Sequence, residues 1–230
     1  MKFREEGAIA VPMRLARLMD RNRVMILTAL LALWLVMLIA GAREIDRELL
    51  LTLYSADHAV LEPMARFFTF FGEWWTAVAF TLAGTAWLAW RGLKREAMIL
   101  FIACATGRLL VILEKAYFGR LRPEEHMRLV DVSSHSFPSG HASNAMMVYL
   151  GIALLGFAGR ARIAAVGVAL AMIAAVGLSR PMLGVHWPSD VVGGWAFGLF
   201  WLFFVFGLAD YFAPGGTGQT LKRNSIMSPS

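Results

Sequence analysis

Of 230 residues, 58% are hydrophobic and 17% charged, with a mean hydropathy of +0.60; an ordinary soluble domain is excluded, since such domains are about half apolar and about a quarter charged. The net charge of +6 comes without interleaved basic and aromatic residues, which argues against nucleic acid and for a role in topology and contact with anionic lipid. The single cysteine, Cys104, lies inside an apolar run, so it forms no intramolecular disulfide and reads as a small core residue.

Six apolar runs stand out: Val24 to Ala42, Trp74 to Trp90, Ala97 to Glu114, Ala142 to Phe157, Ile163 to Leu178, and Val191 to Leu208. Several fall short of the roughly 20 residues that cross a bilayer at about 1.5 Å per residue, so their helices should extend into the flanks. The expected fold is all-α, a polytopic membrane bundle of six transmembrane helices with short outer-surface helices. Residues 1–23 would be a basic cytoplasmic leader, 24–210 the six-span domain, and 211–230 a disordered cytoplasmic tail rich in Pro, Gly and Ser.

In the leader, Leu15, Leu18 and Met19 lie opposite Arg14, Arg17 and Arg21, a pattern that fits an interfacial amphipathic helix and, nearly as well, a frayed segment. Ala40-Gly41-Ala42 looks like a signal-peptidase site, but the preceding apolar stretch exceeds the usual h-region, and an uncleaved anchor is expected. Lysines and arginines precede the first run, follow the second at Arg91, Lys94 and Arg95, follow the fourth at Arg160 and Arg162, and recur at Lys222 and Arg223. The positive-inside rule puts these segments and both termini in the cytoplasm. No Asn-x-Ser/Thr sequon occurs, which fits a bacterial inner membrane.

Between the first two runs, Ile45, Leu49 and Leu53 repeat every four residues, and Met64, Phe67, Phe68 and Phe71 follow helical spacing; short helices covering the bundle are predicted. Trp74, Trp75, Trp87 and Trp90 bracket the second run as aromatic belts. Arg108 stands deep in the third run, about 10 Å before Lys115 on nearly the same face. An intramembrane arginine should face inward and meet a structural partner or a substrate phosphate.

Three polar segments break the apolar pattern where charge is costly. In Ser179 to Asp190, His186 and Asp190 are four apart; if Pro188 opens a helix, the carboxylate binds one imidazole nitrogen and frees the other as base or nucleophile. Arg180 adds a cation suited to phosphate. Taken alone, the stretch equally describes a buried pair capping a helix beside an interfacial arginine. In the second segment, Lys115 and Arg122 can converge on one anion where Pro123 stops the helix. In the third, Pro138-Ser139-Gly140-His141 opens the fourth run, offering a hydroxyl, helix N-terminal N–H groups and a proton donor. By the span count all three lie at the outer ends of helices. Arg120, His126, Arg128 and His135 are available nearby for a second phosphate, although a solvated loop explains them equally.

The patterns K-x(6)-R-P, PSGH and SR-x(5)-H-x(3)-D, in this order, resemble the signature of the type-2 phosphatidic acid phosphatase and vanadium haloperoxidase superfamily. The resemblance implies that His186 attacks phosphorus to form a phosphohistidine, Asp190 orients it and His141 protonates the leaving oxygen. It implies that Lys115, Arg122, Ser139, Gly140 and Arg180 hold the phosphoryl oxygens. No cluster has metal-ligand spacing, so catalysis without cofactor or divalent ion is expected. The soluble, vanadate-carrying branch is disfavoured by the apolar runs.

The expected partners are the lipid bilayer and a lipid phosphate substrate entering a periplasm-facing site, first a polyprenyl (undecaprenyl) pyrophosphate. Phosphatidylglycerophosphate, phosphatidate, diacylglycerol pyrophosphate or a lipid A phosphate are the alternatives. Transfer of the phosphoryl group to another lipid is a second enzymatic reading, and a six-span transporter or scaffold the non-enzymatic one.

Overall fold

The computed structural model describes residues 22–56 and 58–213. The predicted amphipathic leader and most of the predicted tail lie outside the described residues. Among those described all regular structure is helical: α1 (Arg23–Ala40), α2 (Glu44–Leu53), α3 (Leu61–Phe70), α4 (Trp74–Trp90) and α5 (Lys94–Phe118) come first. A 3-10 turn (Glu125–Met127) precedes α6 (Gly140–Ala145), a π-helical turn (Met146–Leu150) and α7 (Gly151–Gly156); α8 (Gly159–Met182) and α9 (Pro188–Tyr211) complete the fold.

Four of these helices, α1, α5, α8 and α9, are long and apolar enough to cross a bilayer. By length and composition, four of the six expected spans are found among the described residues. The second run forms α4, only 17 residues long, about 26 Å at 1.5 Å per residue against a hydrocarbon core of about 30 Å. The fourth run is interrupted, because the π turn separates α6 from α7. Val24, Val36 and Ile39 on α1 and Ile163 and Val168 on α8 are exposed, as expected of side chains that meet lipid rather than water.

The main core joins α4, α5, the π turn, α7, α8 and α9 around Leu88, Leu100, Ala103, Met147, Val176 and Leu202. Gly194 and Gly198 bring α9 against α6. A Cβ on Gly194 would lie 2.7 Å from the Ser139 carbonyl oxygen, and one on Gly198 would lie 2.8 Å from the Met146 Cβ. Small residues at helix contacts are what a membrane bundle uses to bring backbones together. This contact sets the start of α6 beside the start of α9.

Both short helices expected between the first two runs are present, and each does more than cover the bundle. Asp46 of α2 is buried, and its carboxylate accepts hydrogen bonds from the Ser189 N–H (2.9 Å) and hydroxyl (2.5 Å) at the start of α9. On α3, Thr69 is buried and receives a hydrogen bond from Arg180 through its hydroxyl.

Candidate active site

The three polar segments converge at one end of the bundle, where α5 and α8 end and α6 and α9 begin. Gly119 ends α5 at φ 60°, its amide bonded to the Lys115 carbonyl at 3.2 Å. This left-handed cap, which suits glycine, turns the chain so that Arg120 and Arg122 run back over the bundle. Gly184, at φ 67° and against the Met127 carbonyl, makes the turn between α8 and α9. Pro188 is the first residue of α9, so the helix starts two residues beyond His186, as its spacing to Asp190 requires.

His186 Nδ1 lies 3.2 Å from Asp190 Oδ2, and both residues are buried. The same carboxylate oxygen accepts the Ser136 hydroxyl at 2.5 Å and the Trp187 N–H at 2.9 Å, while Oδ1 accepts Arg120 Nη1 at 2.8 Å. An ionised carboxylate only accepts, so its bond to Nδ1 selects the tautomer with the proton there and a lone pair on Nε2. Burial pushes the His186 imidazole well below its ordinary range, and Arg122, Lys115 and Arg180 press the same way. The carboxylate charge is already matched by Arg120. His186 is thus a neutral imidazole with a free nitrogen.

His186 lines a cavity of about 580 Å³ together with Lys115, Arg122, Gly140, His141 and Arg180. Lys115 Nζ donates to the carbonyls of His135 (2.6 Å) and Ser136 (3.2 Å). Arg122 donates to the carbonyls of Ser134 (2.7 Å) and Val185 (2.5 Å), which ties the loop before α6 to the His186 turn. Burial lowers the Arg122 pKa to about 10, so it stays charged at neutral pH. Arg180 is buried, and its Nε–H has no acceptor among the described residues; a buried donor of this kind is costly unless a ligand fills its place. Seven of the eight residues expected at the site meet here as cavity wall or as support for His186. Ser139 differs: its hydroxyl is buried and accepts the Ala142 N–H at 3.5 Å, so it caps α6 rather than lining the cavity.

Two groups complete the site that the sequence did not single out, and a third takes a role other than the one expected. Ser136 braces the His186–Asp190 pair. Glu73, at the N-terminal cap of α4, lies 3.3 Å from His141 Nε2; this hydrogen bond, foremost, holds its carboxyl below the usual range. Arg120 was considered for a second phosphate, and the structure corrects this. Its guanidinium is occupied by Asp190, Ser189 and the Met37 and Leu38 carbonyls at the end of α1, and it lies 4.3 Å from the Phe137 ring. Arg128 is likewise bonded to the Pro123 carbonyl.

The PAP2 superfamily matches residues 96–213, which hold all three polar segments. The chain belongs to this superfamily. Over 120 residues this PAP2 chain is 38% identical to phosphatidylglycerophosphatase B of Bacillus subtilis, covering 50% of this chain and 59% of that protein. It is 28% identical over 172 residues to a lipid A 4'-phosphatase of Porphyromonas gingivalis, covering 68% and 69% of the two chains. It superposes with a TM-score of 0.73 and 27% identity on the crystal structure of a transmembrane PAP2-type phosphatidylglycerolphosphate phosphatase from Bacillus subtilis, covering 81% of this chain and 97% of that one. A crystal structure of LpxE from Aquifex aeolicus shares the fold, with a TM-score of 0.60 at 23% identity over 72% and 96% of the two chains. The PAP2 relatives and the four apolar helices together point to a bacterial membrane protein.

Proposed function

We propose that this chain is an integral-membrane lipid phosphatase that works through a phosphohistidine. The observation that carries the proposal is a neutral His186, fixed by Asp190 and facing a cavity ringed by three cations. In this reading the Nε2 lone pair attacks phosphorus in line, the P–O bond to the lipid breaks, and His141 gives its proton to the departing oxygen. Water then attacks the phosphohistidine, with His141 accepting the proton, and inorganic phosphate leaves. Phosphoryl transfer needs positioning and neutralisation of charge spread over the phosphoryl oxygens. Lys115, Arg122, Arg180 and the Gly140 N–H at the start of α6 supply both without a divalent ion, and Ser139 contributes by holding that helix start in place.

The substrate is membrane-borne in this proposal because the cavity wall includes Trp74 and Ile112, which are 58% and 49% exposed on the apolar flank of α4 and α5. A lipid can enter sideways there. A polyprenyl pyrophosphate is the favoured substrate, with phosphatidylglycerophosphate or a lipid A phosphate next, as the names of the relatives suggest. In the full proposal α4 and the broken α6–α7 segment also cross, giving six spans with both termini cytoplasmic and the site toward the periplasm.

The test is phosphate release from a panel of these lipids by the purified protein, with His186→Ala as blank. Activity is expected to fall by at least about 10³-fold in the variant, since removing a nucleophile removes the whole pathway, and to survive EDTA. Near-normal turnover by His186→Ala would remove the nucleophile assignment, and abolition by EDTA the metal-free mechanism.

A further inference from the structure

Arg108 is the one charged residue in the middle of α5 that the mechanism leaves unused. It lines the same cavity as His186 and His141. Among the described residues its guanidinium has no hydrogen-bond acceptor or carboxylate partner; its recorded contact is the face of the Trp74 ring, at 5.5 Å. A cation held against an aromatic face keeps its N–H edges free. An arginine at this depth is expensive to keep unless it meets a partner, and here the free edge belongs to a lipid-accessible cavity.

Its position says which part of a substrate it meets. The Arg108 backbone is two turns below Lys115, about 10 Å along the helix, yet its guanidinium rests on Trp74. Trp74 follows Glu73, which is bonded to His141. A guanidinium held on the Trp74 ring is thus tied to the chain segment that contacts His141, the proposed donor to the leaving oxygen.

We infer that Arg108 is a specificity-determining residue that binds a second phosphate carried by the leaving group, so that two-phosphate lipids are preferred over lipid monophosphates. This rests on the phosphatase reading above. When the His186 Nε2–P bond forms and the P–O bond breaks, the electron pair goes to the departing oxygen. His141 supplies the proton, and Arg108 balances the negative charge of the phosphate left on the lipid. In a lipid diphosphate that phosphate adjoins the scissile bond; in phosphatidylglycerophosphate it lies across a glycerol. The chemistry recognised is the same.

The experiment compares kcat/KM for undecaprenyl diphosphate with undecaprenyl monophosphate, and for phosphatidylglycerophosphate with phosphatidate, in wild type, Arg108→Met and Arg108→Lys. In at least one pair the two-phosphate to one-phosphate ratio is expected to fall about tenfold in Arg108→Met, the size of one charge-assisted hydrogen bond, and to be largely kept in Arg108→Lys. The pair that responds identifies the source of the second phosphate. Ratios do not depend on the fraction of folded enzyme, so equal losses on both members of each pair, or no change, overturn the inference while leaving the phosphatase reading standing. A wild-type protein that releases phosphate from none of the four lipids overturns the inference, and one that also fails on lipid A overturns the phosphatase reading.

Discussion

The Asp190 carboxylate makes four contacts, and each fixes a property of His186. The bond to Nδ1 sets the tautomer, those from Ser136 and the Trp187 amide hold the carboxylate still, and Arg120 cancels its charge. What acts on the imidazole is then burial and the cations Arg122, Lys115 and Arg180, all of which disfavour protonation. Below the ordinary histidine pKa of 6.5 the unfolded chain binds a proton at this position that the native state refuses. The native state then binds fewer protons, so stability falls as pH drops below that value. The Glu73 contribution follows the depressed-carboxylate rule and is lost only at lower pH, below 4.5. In ¹⁵N-histidine NMR, the signal absent from His186→Gln is expected to stay neutral at pH 6, and the melting temperature of wild type to fall more between pH 7 and 5 than that of the variant. A protonation midpoint at or above 6.5 would refute the poised nucleophile. The His186–Asp190 pair was readable because both partners lie on one helix turn. Ser136, Arg120 and Glu73 were not, since their partners are 54, 70 and 68 residues away, and nothing in a serine, a loop arginine or a helix-capping glutamate announces a distant contact.

Helix contacts carry the site's accuracy, because α6 and α9 bear the proposed proton donor and the support of the proposed nucleophile and touch through Gly194 and Gly198. In Gly194→Ala the added methyl would press on the Ser139 carbonyl, which belongs to backbone and cannot rotate away. Overpacking of this kind costs about 1–3 kcal/mol, and here it separates His141 from His186. The expected outcome is a lower melting temperature and a larger loss of phosphate release in Gly194→Ala. Gly167→Ala, where nothing lies within 4 Å of the added carbon, should keep both or gain stability through helix propensity. Equal behaviour of the two variants would mean that the close approach is not needed. At this scale hydropathy marked every long helix within a few residues, and Pro188 gave the start of α9. Hydropathy did not reveal the π turn over Met146–Leu150, since an apolar run records which residues are buried in lipid but not which carbonyl each amide finds. It missed for a similar reason that α2 and α3 brace the site. Their apolar periodicity was plain, while Asp46 and Thr69 act through contacts that only the assembled bundle creates.

For the molecule as a whole, the two ends of the bundle differ in charge and in task. One end holds the site, with the end of α1 attached to it through Arg120. The other gathers Arg23 and Arg95 around Asp210, at 3.5 and 3.2 Å, while Arg91 donates to the Gly156 carbonyl just before Arg160 and Arg162 at the start of α8. The positive-inside rule assigns the second end to the cytoplasm, so the site should face outward even though the α6–α7 segment between the two ends is short and broken. Cys104 is the only cysteine, and Cys104→Ala therefore gives a clean background for single-cysteine labelling. Ser133 and Ala158 are exposed and flank the α6–α7 segment. A membrane-impermeant maleimide is expected to label Ser133→Cys in intact cells and Ala158→Cys only after permeabilisation. Labelling in the reverse order would turn the site toward the cytoplasm. Labelling of both in intact cells, or of neither, would mean that the broken segment does not cross, and the six-span arrangement would fall with it.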